Sequence, residues 1–251
     1  MPSRPPAPRL THFLCIPLVT SSSRPQLQNT LSIFKDEVAK TSTRGLPDGI
    51  PKEAIRPLGT LHLTLGVMSL LTPERLEGVL KVLRELNLTE LLSSIKPAST
   101  RPEVESPRRN SQDAAQDRAS IHITLQGLRS MQETSKTSVL FAAPLDPDLR
   151  LYRFCQKLRE VFGDFLVQDA RPLLLHATVV NTVYVPGKRS TGGRGRKEKL
   201  VLDARELVTR YEEFVWMEGV KVEKVAISGM DSKVGESGEE EYEVAGEVEV
   251  P

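Results

Sequence analysis

The chain has 251 residues, 34 Lys+Arg against 33 Asp+Glu for a formal net charge of +1, and 39% hydrophobic residues. That is ample for a buried core in one large domain or two small ones. It is too apolar for a disordered chain and too near neutrality for a protein that coats nucleic acid by bulk charge. Cys15 and Cys155 lie in apolar runs rather than in a disulfide or zinc-ligand spacing. No apolar run approaches the roughly 18–20 residues of a membrane span, and Met1–Pro6 lacks the apolar stretch of a secretory leader. A soluble protein of a reducing, intracellular compartment is expected, away from membranes.

Leu10–Leu18 reads as a strand ended by proline. From about Pro25 to Lys40 a helix is expected, with Leu27, Leu31, Phe34 and Val38 on one face, Ser23 as a cap and Pro25 in the first turn. Leu61–Leu71 is a second strand, and Thr72-Pro73-Glu74 opens a helix with Leu76, Val79, Leu80, Leu83 and Leu86 in one stripe. Residues 96–119 turn to Pro, Ser, Arg, Gln and Asp and read as a flexible connection. Strands follow at Ser120–Leu128 and Ser138–Pro144, then a helix over Asp146–Phe162 with Leu149, Tyr152, Cys155, Leu158 and Phe162 along one side. Pro172–Pro186 is strand-like, Gly187–Lys199 is a basic loop, Asp203 opens a short helix and Val220–Ser228 is another strand. At the end, Tyr242, Val244, Val248 and Val250 take even positions and Glu241, Glu243, Glu247 and Glu249 odd ones, the period of a half-buried strand with an acidic face. Two similar halves with paired strands predict an α+β fold of antiparallel sheets.

Three of the four histidines head one tripeptide pattern: His62-Leu-Thr64, His122-Ile-Thr124 and His176-Ala-Thr178. Side chains two apart on a strand share a face, so each pattern presents an imidazole and a hydroxyl together. Two of the three share flanks as well. Arg56-Pro-Leu precedes Leu61-His62-Leu-Thr64, and Arg171-Pro-Leu precedes Leu175-His176-Ala-Thr178, an echo of internal duplication. Two such pairs facing each other across a cleft suit phosphodiester chemistry. One imidazole takes a proton, the other gives one to the leaving oxygen, and the hydroxyls hold the non-bridging oxygens. The sequence offers no carboxylate cluster for a metal, and no cofactor is expected.

These segments, with Thr11-His-Phe-Leu-Cys-Ile-Pro-Leu18 and Leu202-Asp-Ala-Arg205, resemble the 2H phosphoesterase superfamily over about Leu10–Val250. The similarity is to the branch holding the A-kinase anchor protein 7-like domain and the activating signal cointegrator 1 complex subunit 1. The resemblance implies a bilobal LigT-like α+β fold of two pseudo-symmetric lobes, with antiparallel sheets, outer helices and a central cleft. Residues 1–9 would be a flexible N-terminus, and 10–250 one domain: lobe one at about 10–95, a linker at 96–119 and lobe two at about 120–250. It implies action on RNA ends or nucleotides bearing 2′,3′-cyclic phosphates or 2′-5′ linkages, with His62, Thr64, His176 and Thr178 catalytic and no metal. The alternative is a nucleotide- or RNA-binding subunit of a transcription or repair complex with little turnover. A monomer in the nucleus, the cytoplasm or both is expected.

His12 and Tyr184 are candidate substrate contacts, as are Lys188 and Arg189 in a loop whose basic run also resembles a nuclear-localisation patch. His122 and Thr124 lack the Arg-Pro-Leu flank and are expected on a strand of the second lobe, facing water. Trp216 is expected in the core.

Overall fold

The computed structural model describes residues 8–40, 49–95, 120–186, 200–235 and 238–251; the expected linker at 96–119 and the basic loop with Lys188 and Arg189 lie outside them. Eight strands among the described residues form two four-stranded antiparallel sheets. They are β1 (His12–Pro17), β2 (His62–Met68), β3 (His122–Ser130), β4 (Val139–Leu145), β5 (Ala177–Asn181), β6 (Val215–Lys221), β7 (Lys224–Val234) and β8 (Glu240–Glu249). The first sheet has the order β2-β1-β7-β8 and the second β5-β4-β3-β6. The α+β architecture expected from the sequence is therefore present. Lobe two, however, does not keep all of 120–250. After supplying the second sheet with β3–β6, the chain returns to the first, where β7 pairs with β1 through His12↔Gly229 to Cys15↔Ala226.

The helices are α1 (Arg24–Val38), α2 (Pro73–Arg84), α3 (Leu88–Ser93), α4 (Arg150–Val161) and α5 (Arg205–Arg210). One hydrophobic core runs through both lobes. It collects Leu14 and Ile16 of β1, Leu63 and Leu65 of β2, Leu125 of β3, Leu140 of β4 and Val179 of β5 against Leu31 and Phe34 of α1, Val79 and Leu83 of α2 and Phe154 and Leu158 of α4. Each sheet thus spends one face on the helices and leaves the other open. α1, from the first half of the sequence, packs on β6 of the second sheet, and α4, from the second half, packs on β2 of the first.

Several boundaries differ from the sequence reading. Ser23 stands at the N-cap of α1, but its hydroxyl donates to the Leu18 carbonyl at 2.6 Å instead of capping the helix. Thr72 does cap α2, accepting from the Arg75 N–H. α4 starts four residues later than expected because the Asp146 carboxylate accepts from the N–H groups of Leu151 and Tyr152, at 3.1 and 2.7 Å, and Leu149 is left exposed at the turn. In Pro172–Pro186 only Ala177–Asn181 pairs as a strand. The Asn181 side chain accepts from the Val183 N–H at 3.1 Å and turns the chain into a single 3₁₀ turn, Thr182–Tyr184. β8 forms as expected, but its pairing with β7 shifts register between Ile227↔Gly246 and Ser228↔Val244, so Val244 faces solvent while Val250 is buried. Both cysteines are buried and free.

Candidate active site

The two Leu-His-x-Thr segments lie on the edge strands of their sheets, β2 and β5, and these edges meet. Two exchanged segments close the seam. Ile55 bridges Val180 of β5, and the Arg56 N–H donates to the Val179 carbonyl at 2.8 Å. In return Leu166 bridges Met68 of β2, and the Val167 N–H donates to the Val67 carbonyl at 2.8 Å. The second approach is close enough that a Cβ at Gly66 would sit 2.8 Å from the Leu166 side chain.

Strand alternation then places the side chains. Leu63 and Leu65 enter the core, so His62 and Thr64 face the open side; Ala177 and Val179 enter it from β5, so Thr178 and, one residue ahead of the strand, His176 face the open side too. The two imidazoles are held alike. His62 Nδ1–H donates to the Thr60 carbonyl and His176 Nδ1–H to the Leu174 carbonyl, each two residues upstream and each at 2.8 Å. A carbonyl only accepts, so Nδ1 carries a proton in each ring and Nε2 is the nitrogen turned away from the backbone. The Thr64 hydroxyl donates to His62 Nε2 at 2.9 Å. Each ring also rests on an aromatic from the adjoining strand: Phe13 of β1 stacks on His62 at 4.6 Å between centroids, and Phe141 of β4 meets His176 edge-on at 5.4 Å.

His62, Thr64 and Thr178 line one cavity of about 200 Å³ with Arg56, Tyr184 and Tyr242. His176 is not among the residues that line it, though a charge on its ring would oppose one on His62. Burial pushes His62 down to about 4; the bond to Thr60 works the other way, and the charges of His176 and Arg56 add to the lowering. Its ring is therefore neutral at pH 7. The unfolded ring titrates near 6.5, so stability from this group, at most roughly 3 kcal/mol, is fully present above that pH and drains as pH falls from there toward 4. In thermal melts across this window, His62→Gln, which cannot take a charge, should lose less stability than the wild type; equal losses would place the acid sensitivity elsewhere.

The other expected residues divide. Tyr184 lines the cavity, with the Arg56 guanidinium 4.0 Å from its ring centroid. His12 does not reach it. It alternates with Phe13 onto the opposite side of β1, where its Nδ1 meets Thr11 Oγ1 and the Glu243 carboxylate is its charged neighbour. His122 is exposed and Thr124 accepts from the Gly219 N–H at 3.0 Å, both on the open side of β3, which β4 separates from β5. Trp216 is in the core, its Nε1–H donating to the Gly127 carbonyl at 2.8 Å. Arg56 was legible only as the flank of a repeat, and Tyr242 only as the apolar side of a strand, yet both line the cavity. Arg171, the counterpart of Arg56, is exposed and paired with Asp169. Among the described residues no group of three His, Cys, Asp or Glu is arranged to hold a metal ion, and no helix is long and apolar enough to cross a membrane.

A model of the AKAP7 2′5′ RNA ligase-like domain matches residues 10–250. An uncharacterised protein of Schizosaccharomyces pombe is 27% identical over 110 residues, 43% of this chain and 47% of that protein, so the chain spans about half the length of the curated relative it matches. Among solved structures, E. coli LigT complexed with 3′-AMP is similar with a TM-score of 0.49 at 15% identity, over 96% of this chain and 98% of that one. Kluyveromyces marxianus Usb1 is similar with a TM-score of 0.40 at 13% identity, over 96% and 97%.

Proposed function

Because the chain belongs to the AKAP7 2′5′ RNA ligase-like domain family, we propose that it is a phosphoesterase working on 2′,3′-cyclic phosphates or 2′-5′ phosphodiesters of RNA ends or nucleotides, with His62, Thr64, His176 and Thr178 as its catalytic residues. The observation that supports this reading is the matched pair of imidazoles on apposed edge strands, each held by an Nδ1–H to a carbonyl two residues upstream, with Nε2 turned away from the backbone. With one ring neutral and the other carrying a second proton on Nε2, a phosphate bound between them would meet one proton acceptor and one proton donor on opposite sides. Each such transfer accelerates cleavage by about 10²–10⁴-fold. The Thr178 hydroxyl lies in the same cavity, suited to donate to a non-bridging oxygen as charge gathers there, and the Thr64 hydroxyl would do the same by turning from His62 Nε2 once that nitrogen takes up a proton. Nothing in this scheme needs a metal ion.

The test is incubation of the protein in EDTA with 2′,3′-cyclic-phosphate and 2′-5′-linked substrates, beside His62→Ala and His176→Ala. Turnover by the wild type and its loss in both variants is expected. Activity surviving both substitutions overturns the assignment, and tight nucleotide binding without product favours a binding subunit instead.

A further inference from the structure

We propose that Arg159 is a positioning residue of the active site: by holding the carbonyl of Leu65 it fixes a bulge in β2 that keeps His62 and Thr64 on the cavity side of the sheet. What His62 and Thr64 do there rests on the phosphoesterase reading; how they come to face the cavity does not. His62, Thr64 and Val67 all line it. In a regular strand side chains repeat every two residues, so Thr64 and Val67, three apart, would lie on opposite sides. The pairing of β2 with β1 shows how they come together. Leu14↔Gly66 is followed by Cys15↔Thr64, so Leu65 is an extra residue with no register partner in β1. That residue reverses the phase of the strand. Without it, an alternation continued from Val67 would turn Leu63 and Leu65 toward the cavity and His62 and Thr64 into the core.

What holds the bulge comes from the other half of the chain. β2 is an edge strand, so the side of it away from β1 has no neighbour in its own sheet. On that side the Val67 carbonyl accepts from the Val167 N–H, and the Leu65 carbonyl accepts from Arg159 Nη1–H of α4 at 2.6 Å. Leu65 is 1% exposed, and a buried carbonyl left without a partner is costly. A hydrogen bond from a charged donor is also the stronger kind. The Arg159 side chain thus stands in for a strand at the residue where the β1–β2 ladder is broken. Leu166, seven residues further on, lies over Gly66, so α4 and the chain just after it grip the bulge at two successive residues. Removal of the Arg159 donor loosens that grip and lets β2 carry His62 and Thr64 away from the place where they meet a phosphate. A displacement of about 1 Å is enough to cost about 10²-fold in rate.

The experiment compares wild type with Arg159→Met, which keeps the stem without the donors, with Arg159→Lys, which can still donate, and with Val79→Ala, a core truncation on α2. Two quantities are read: turnover of a 2′,3′-cyclic nucleotide, and the NMR signal of the His62 ring C–H, which the stacked Phe13 ring displaces. Arg159→Met should lower kcat by about 10²-fold with KM little changed, because substrate still binds and only the reacting groups are misplaced. In the same variant the His62 signal should move toward that of the exposed His122. Arg159→Lys should recover part of both. Val79→Ala should lower Tm, yet leave kcat and the His62 signal where they are. Should Arg159→Met not fold, Leu166→Ala, which loosens the same bulge at Gly66, takes its place with the same expected results. In an active protein, neither change, or one without the other, overturns the proposal, and so does an equal fall of kcat in Val79→Ala. If the wild type turns over no cyclic nucleotide, yet the His62 signal moves in Arg159→Met and returns in Arg159→Lys, the phosphoesterase reading fails and the hold of Arg159 on β2 stands.

Discussion

Combining His62→Ala with His176→Ala should slow turnover by no more than about tenfold beyond the worse single variant, although each single loss is about 10²–10⁴-fold. The reason lies in what the two rings share. If one imidazole withdraws a proton from the attacking oxygen as the other supplies one to the departing oxygen, both stabilise a single transition state, and removing either leaves the other little to assist. Two rings acting in separate steps, or one acting and one merely lining the cavity, would give losses that multiply. Single-turnover rates of the four proteins on a 2′,3′-cyclic nucleotide distinguish the cases. A double loss equal to the product of the singles would contradict a concerted pair. The residual rate measures what Thr64, Thr178 and the walls contribute without the imidazoles.

The largest effect on stability is expected at Trp216, far from the cleft. Trp216→Ala should cost about 3–5 kcal/mol in urea unfolding. The indole is 1% exposed and packs against Phe214 at 4.8 Å and Phe34 at 5.2 Å between centroids. Its N–H donates to Gly127, whose φ of +74° lets β3 bulge toward it. Phe34 belongs to α1 and Trp216 to β6, so this cluster fastens a helix from the first half of the chain to the second sheet. Trp216→Phe keeps most of the apolar area and should lose about 1–2 kcal/mol, chiefly the hydrogen bond. A loss below about 1 kcal/mol for the alanine variant would mean that the cluster does not hold α1 to β6.

Much of this was legible from residue order alone. The strand period of His-x-Thr, its repeated Arg-Pro-Leu flank and the helical stripes of Leu27, Leu31, Phe34 and Val38 are local patterns, and local patterns specify which side of an element is apolar. The α+β character and the strand at Tyr242–Val250 followed from them. What escaped depends on contacts distant in sequence. The side chains of Arg56 and Arg171 share a motif, but only Arg56 is drawn over β5 by the Val179 carbonyl, while Asp169 holds Arg171 in solvent. His12 precedes Phe13 by one residue, and that single step puts it on the other side of β1. The exposure of Val244 follows from a register shift against Ser228 that no alternation within β8 announces.

The return of β7 and β8 to the first sheet governs the order in which the molecule can be completed. β1 and β2 leave the ribosome before the other strands, but β7 is the strand that lies beside β1, and it is made after all four strands of the second sheet. Until Lys224 and the residues after it emerge, the first sheet is a two-stranded ribbon, which is marginal in water by itself. The second sheet has all four of its strands before then. The wall bearing His62 is therefore finished after the wall bearing His176, although His62 is synthesised first. A nascent chain released before β7 would carry both Leu-His-x-Thr segments and a first sheet of only two strands.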